Sequence, residues 1–131
     1  MAWQVPEDRK YTKTDEWIKV VEGDEALVGI TDYAQDQLSD IVYVELPEVG
    51  ESFSAGDVFG VVESVKAAAD LNMPASGEVV AVNTELEDTP EIVNEDPFEK
   101  GWMIRVRLSD PSELDALLDA AAYAKQCEEH D

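Results

Sequence analysis

Short runs of alternating or continuous apolar residues, broken by Gly, Pro, Asn and Asp, recur along most of this chain and predict a mainly β fold. Residues 3–13 are polar and read as loop. Residues 17–21 (Trp-Ile-Lys-Val-Val) form a strand, Glu22-Gly23-Asp24-Glu25 a turn, and residues 26–30 the partner strand of a hairpin. Thr31 or Asp32 caps a short helix that carries Tyr33, Ala34, Gln37 and Leu38 at helical spacing. Residues 41–46 are rich in β-branched side chains and stop at Pro47, which cannot donate to a strand ladder. Gly50 and Ser54-Ala55-Gly56-Asp57 are turns. Residues 58–62 are almost continuously apolar, which suits a strand buried between two sheets. Residues 77–82 are a further strand, and Pro90 after Thr89 opens a short helix through Val93. Residues 102–108 alternate apolar and charged, as a half-exposed strand does. Asp110-Pro111-Ser112-Glu113 is a helix start, and Leu114, Leu117, Leu118 and Ala121 then fall on one stripe. That stripe is most simply a core-facing surface, with partner docking the lesser reading.

Pro47-Glu48-Val49-Gly50-Glu51 returns as Pro74-Ala75-Ser76-Gly77-Glu78, each copy followed by a strand. The repeat suggests two similar β units packed face to face.

Composition narrows the function. The 131 residues suit one domain, and 44% apolar content is enough for a core. The 31 acidic residues against 9 basic ones leave a net charge of −22. Such a surface opposes binding to nucleic acid or an anionic membrane, both of which call for basic patches. It stays soluble in strong salt, where self-repulsion is screened, so a halophilic source is the favoured hypothesis and a plain acidic cytosolic protein the alternative. Cys127 is the sole Cys and His130 the sole His, which excludes an intrachain disulfide and a Cys/His zinc cluster. A Cys127–His130 dyad is possible on paper, but the tail around it is polar and offers no pocket. The first ten residues lack the apolar segment of a signal peptide, and no apolar run approaches membrane-spanning length, so a cytoplasmic location is expected.

The candidate chemistry lies in Val61-Val62-Glu63-Ser64-Val65-Lys66-Ala67-Ala68-Ala69-Asp70. Lys66 is the only Lys between Lys19 and Lys100. A surface Lys without a role is one reading. An amine displayed for covalent modification is the other, since Lys is a compact nucleophile on a flexible stem. Propensity alone reads residues 64–70 as helix, given three alanines.

Glu63-Ser64-Val65-Lys66-Ala67-Ala68 resembles the lipoyl-attachment motif of glycine cleavage system H proteins. So do Gly29-Ile30-Thr31-Asp32-Tyr33-Ala34-Gln35, Val44-Glu45-Leu46-Pro47-Glu48-Val49-Gly50, and Asn94-Glu95-Asp96-Pro97 with Gly101-Trp102-Met103. The blocks stand in the family's order from about Tyr11 to about Glu129, and four in register are strong support. The resemblance implies a lipoyl-domain (hammerhead) fold: a flattened β-barrel or sandwich of two sheets, with short helices and a C-terminal helix. It places Lys66 on a hairpin turn made by Val65 and Lys66, with residues 58–64 and 67–72 as arms. One domain is expected, with an N-terminal loop over 1–13, a β core over 14–108 and a C-terminal helix over 110–127.

By the same resemblance Lys66 carries lipoate in amide linkage. The arm shuttles the aminomethyl group of glycine from a pyridoxal-phosphate glycine decarboxylase to a tetrahydrofolate-dependent aminomethyltransferase, and dihydrolipoyl dehydrogenase then reoxidises it. The carrier itself is not an enzyme, holds no metal, and is expected to be a monomer. Glu63 and Gly77 match positions used for recognition by the lipoyl-attaching enzyme, though a strand-end charge and a turn glycine explain them equally well. Glu16 and Asp70 are candidates for the cleft that receives the arm, or are simply exposed acids. The family often has His where this chain has Asp15, and sometimes where it has Gln37, which puts any histidine role in that cleft in doubt.

Three other functions compete. A biotin carrier shares the fold class, but its lysine is usually flanked by Met, and here the neighbours are Val65 and Ala67. A lipoyl carrier of the same type could serve lipoate relay or sulfur metabolism. An enzyme using Lys66 as Schiff-base or general-base residue needs a buried pocket, which an alanine-flanked turn on an acidic surface does not offer.

The charge imbalance makes one prediction. The melting temperature rises between 0.01 M and 1 M salt, as the Debye length falls from about 30 Å to about 3 Å. A melting temperature that stays flat across thermal scans at the two salt levels contradicts the halophilic reading.

Overall fold

The computed structural model describes residues 3–130, His130 in its backbone only. Strands β1 (Lys10–Tyr11), β2 (Glu16–Glu22) and β3 (Glu25–Ile30) follow one another, then helix α1 (Asp32–Leu38). Next come β4 (Ile41–Glu45), β5 (Ser52–Phe53), β6 (Val58–Ser64), β7 (Ala68–Asn72) and β8 (Gly77–Val82). Helices α2 (Glu85–Asp88) and α3 (Ile92–Glu95) lead to β9 (Ile104–Leu108), a 3-10 turn (Pro111–Ala116) and α4 (Ala120–His130). The larger sheet runs in the order β1-β2-β3-β9-β8-β5 and the smaller in the order β4-β6-β7. The sheets form a flattened, open sandwich, mainly β with short helices and a C-terminal helix, as the sequence implies.

The sandwich closes because each sheet turns one row of apolar side chains inward. Val28, Val79 and Val106 of the larger sheet share a buried cluster with Val44, Val62 and Leu71 of the smaller. Leu86 of α2 and Val93 of α3 cover its end. Burying each such side chain contributes about 1.5–3 kcal/mol, so this cluster is the main source of stability. Strand β6 lies between β4 and β7, with Phe59 and Val62 buried. Its other face is open, with Val58 47% exposed and Val61 half-buried, so β6 is not enclosed between two sheets as its nearly continuous apolar sequence suggests.

A second buried cluster sets Tyr11, Trp17, Tyr33 and Phe98 against Tyr123 and Cys127 of α4. The Tyr11 and Tyr123 rings stack with centroids 4.7 Å apart. Gly29 lies opposite Trp17 in the β2–β3 ladder, and a Cβ there would stand 2.8 Å from the indole. The indole also donates to the Pro97 carbonyl at 3.0 Å. Two of the sequence blocks, around Gly29 and Pro97, thus meet on one tryptophan.

Several expectations are corrected. Residues 64–70 are not helical: they form the end of β6, a turn, and the start of β7. Pairing of β7 with β6, which buries Leu71, outweighs the alanine propensity. The 1–13 loop contains β1, which pairs with β2. The 110–127 helix is broken in two. Leu118 exchanges backbone hydrogen bonds of 2.8 and 2.9 Å with Tyr11, so its amide and carbonyl are committed to a strand bridge. A new helix starts afterwards, where the Asp119 carboxylate accepts from the Ala122 amide at 2.8 Å. At the 3-10 turn, Asp110 caps Ser112 as expected, but the Glu113 carboxylate reaches across to Ser76. Pro90 precedes α3 instead of opening it, and α2 has no counterpart in the sequence reading. The repeated segments do not form facing units. They are neighbours in one sheet, where Gly50 donates to Val79 and β5 pairs with β8.

Candidate functional site

Lys66 lies on the turn between β6 and β7, exposed on a hairpin of the smaller sheet. Val65 and Lys66 make the bend, and residues 58–64 and 67–72 are the arms, as the sequence resemblance implies. Ser64 closes this turn. Its amide donates to the Ala67 carbonyl at 2.7 Å, and its Oγ accepts from the amides of Lys66 at 3.3 Å and Ala67 at 3.0 Å. A Ser hydroxyl serves a tight turn in this way because it can accept from two amides and donate at once. The amide of Val65 points out of the hairpin and donates to the Asp40 carbonyl at 3.1 Å. The lysine is therefore fixed through its backbone, while its side chain makes no ion pair among the described residues.

Glu63 precedes the turn and is exposed. It stands opposite Tyr43 of β4 and Ala68 of β7. Val65, Tyr43 and Val42 are also exposed, so apolar and acidic groups border the lysine together. Gly77 is elsewhere, at the start of β8 in the larger sheet. It is buried, and a Cβ would come within 2.6 Å of the Arg107 carbonyl oxygen. The close approach of β8 to β9 is thus a structural reason for this glycine.

A cleft of about 180 Å³ opens beside the hairpin. Its walls include Val62, Ala69 and Leu71 of the hairpin, Ile30 of β3, and Ala34, Gln37 and Leu38 of α1. Thr14, Asp15, Glu16 and Asp70 add polar groups. From Lys66 to Ala69 is about 10 Å along an extended strand, within the reach of a long flexible group on the lysine. A roomier hollow of about 680 Å³ lies between residues 45–53 and the start of β6, and the hairpin turn takes no part in it.

The structure brings Glu16 and Asp70 to one cleft but gives them different characters. Asp70 is exposed on the edge strand β7. Glu16 is 1% exposed, so the reading of it as a surface acid is corrected. Its Oε1 accepts from the hydroxyls of Thr12 and Thr14, and its Oε2 from the amide of Asn72 at 3.1 Å and its side chain at 3.4 Å. Burial pushes the Glu16 carboxyl upward, against the opposing pull of these donors. Asp15 has φ 74° and accepts from the Tyr123 hydroxyl at 2.8 Å. That tyrosine is 2.6 Å from the Thr31 hydroxyl, so α4 is tied both to Asp15, just before β2, and to the cap of α1. Sequence reasoning missed Ser64, Asp40 and this loop network; a Ser two residues before the lysine was the only local signal.

The tail is also reassigned. Cys127 is 2% exposed, against the expectation of a polar tail, and burial raises its thiol. The His130 side chain is outside the described residues. Among the described residues no group of three or more His, Cys, Asp and Glu could hold a metal ion, and no helix is long and apolar enough to cross a membrane.

Comparison with known proteins gives a consistent picture. The family model "Glycine cleavage H-protein" matches residues 9–130. The glycine cleavage system H protein of Symbiobacterium thermophilum is 60% identical over 119 residues, covering 91% of this chain and 92% of that protein. That of Carboxydothermus hydrogenoformans is 58% identical over 125 residues, 95% of each chain. A crystal structure of a glycine cleavage system H protein from Mycobacterium marinum superposes with a TM-score of 0.86 at 44% identity, over 93% of this chain and 98% of that one.

The two acids of the cleft separate in a stability test. Glu16→Ala leaves the Asn72 amide and the Thr12 and Thr14 hydroxyls without their buried acceptor and lowers unfolding free energy by about 1–3 kcal/mol. Asp70→Asn, at an exposed position, stays within about 0.5 kcal/mol of wild type. Urea unfolding of both variants measures this, and equal stabilities would contradict the anchoring role of Glu16.

Proposed function

The chain belongs to the glycine cleavage H-protein family, and from that premise we propose that Lys66 is the point at which it carries lipoate. It is a lipoyl carrier of the glycine cleavage system. The observation that carries the assignment to Lys66 is the site itself. An amine without an ion pair among the described residues stands on a turn fixed through its backbone, next to a narrow cleft. The residues suit the group: the cleft is walled by Val62, Ala69, Leu71, Ile30 and Leu38, which accept an apolar chain, and is edged by acids that accept a polar or cationic end.

Bound in amide linkage, lipoate supplies a disulfide that takes up and passes on the one-carbon unit. The protein's own residues present and shelter. Ser64 and Asp40 hold the turn so that the lysine stem leaves it in one direction. The flexible stem of Lys66 would let a group tethered there reach partner sites and the cleft at high effective concentration, without diffusive release. In the cleft, α1 and the hairpin exclude water from its tip. Asp70 is free to turn its carboxylate toward a cationic end, whereas the Glu16 carboxylate is already committed to four donors and fixes the cleft wall.

The partners proposed are the pyridoxal-phosphate glycine decarboxylase, the tetrahydrofolate-dependent aminomethyltransferase, dihydrolipoyl dehydrogenase and the lipoyl-attaching enzyme, in the cytoplasm, with no bond-making step performed by the carrier. Recognition by the attaching enzyme falls to exposed Glu63. Gly77 contributes through the close β8–β9 packing that only a glycine allows.

The test is reconstitution. Lys66→Arg folds with an unchanged circular dichroism spectrum and loses glycine decarboxylation and synthesis, because the guanidinium is a poor nucleophile toward activated lipoate. Asp70→Ala leaves lipoylation intact and shortens the lifetime of carrier loaded by the decarboxylase, severalfold or more. The scale follows from a charge-assisted contact worth roughly 1.5–3 kcal/mol when shielded and less at a wet surface. Activity retained by folded Lys66→Arg overturns the assignment, and equal lifetimes limit Asp70 to surface charge.

A further inference from the structure

The Asn94-Glu95-Asp96-Pro97 block has no part in the function as derived so far, yet its first residue uses every polar atom of its side chain. Asn94 Oδ1 accepts from the Ile41 amide at 2.8 Å. Its Nδ2 donates to the Ser39 carbonyl and to Gln35 Oε1, both at 2.9 Å. These three partners belong to three consecutive pieces of chain: the last turns of α1, the residue after it, and the first residue of β4. Between them lies Asp40, whose carbonyl receives the Val65 amide of the lysine turn. Ser39 has φ 68°, a conformation that a non-glycine residue keeps only when its surroundings fix it.

We propose that Asn94 is a positioning residue for the lipoyl-lysine turn: it holds the 39–41 corner in the shape that receives Val65, and so sets where Lys66 stands relative to the α1 wall of the cleft. The inference rests on the reading of Lys66 as the lipoylated residue. Asn94 acts at both ends of the arm's travel. Through Asp40 it fixes the turn from which the arm leaves. Through Gln35 it braces α1, which supplies Ala34, Gln37 and Leu38 to the cleft. Gln35 itself donates to Asp32 at 2.8 Å, so the brace reaches the first residue of the helix. An amide side chain is needed here because one acceptor and two donors must be met together, and a carboxylate offers no donor.

Without Asn94 the corner relaxes, the Val65 bond opens, and the turn occupies its binding-competent position for a smaller fraction of the time. An enzyme that must engage the unmodified lysine then sees a raised apparent KM, in inverse proportion to that fraction, while kcat holds. The experiment compares wild type, Asn94→Ala, Asn94→Asp and, as a control on general destabilisation, Glu113→Ala. The last cuts the Ser76 contacts outside the site. Two quantities are read on the full chain: hydrogen exchange of the Val65 amide, and KM and kcat for lipoate attachment by a purified lipoyl-attaching enzyme. Both Asn94 variants are expected to speed Val65 exchange and raise KM by about fivefold or more, with kcat within about twofold, and Glu113→Ala to do neither. If Asn94→Ala does not fold, Gln35→Ala removes one strand of the same network and carries the test. Val65 exchange and KM within about twofold of wild type in a folded Asn94 variant overturn the proposal, as does an equal effect in Glu113→Ala. Wild type that is lipoylated elsewhere than Lys66 overturns the parent reading instead, and the exchange measurement still decides the role of Asn94.

Discussion

A lysine on a hairpin turn keeps a defined position only if the hairpin is fixed from outside the turn. A two-stranded ribbon alone is too weakly held to do this. Here the restraint has two parts. At the root, the buried Glu16 carboxylate joins Asn72, the last residue of β7, to the Thr12–Thr14 side of the loop before β2. Near the tip, the Val65 amide is held by Asp40. Between them Val62 and Leu71 are buried in the sandwich core. The cleft shares part of this restraint, since Thr14, Glu16, Val62 and Leu71 also line the space beside the hairpin.

The opposite cluster serves that root from a distance. Arg9 lies buried with its guanidinium 4.7 Å from the Trp17 ring and 5.2 Å from Phe98, and donates to the Phe98 carbonyl at 2.9 Å. Trp17 follows Glu16 directly in β2, so packing on one face of the strand sets the carboxylate on its way to Asn72. Tyr123 of α4 adds a second hold through Asp15. Much of the surface charge, by contrast, is solvated. The described ion pairs gather around Arg9, Lys19, Arg105 and Arg107, away from the lysine turn.

The parts of this arrangement that depend on local pattern could be read from the sequence. The β2–β3 hairpin, the Thr31 cap and the apolar run of β6 each announce themselves within a few residues. The Thr31 hydroxyl does accept from the Ala34 amide at 3.1 Å. The lysine turn was legible only through resemblance, because its alanines favour helix in isolation and the strand pairing that overrides them is not a property of residues 64–70. What stayed hidden depends on partners far along the chain. Glu16 looks like one acid among 31 until Asn72 arrives beside it. Leu118 continues a helical stripe until Tyr11 takes its backbone bonds. Asn94 reads as a polar loop residue until Ser39 and Ile41 fold onto it.

On the proposed reading, Lys66 is the single lipoylated residue of this fold. Peptide mapping by mass spectrometry, after incubation of the full chain with lipoate, ATP and a lipoyl-attaching enzyme, tests it most directly. One lipoyl group per chain is expected, confined to the peptide that contains Lys66. Lipoate on the peptides of Lys19, Lys100 or Lys125, or biotin on Lys66 in protein from its native cell, would contradict it.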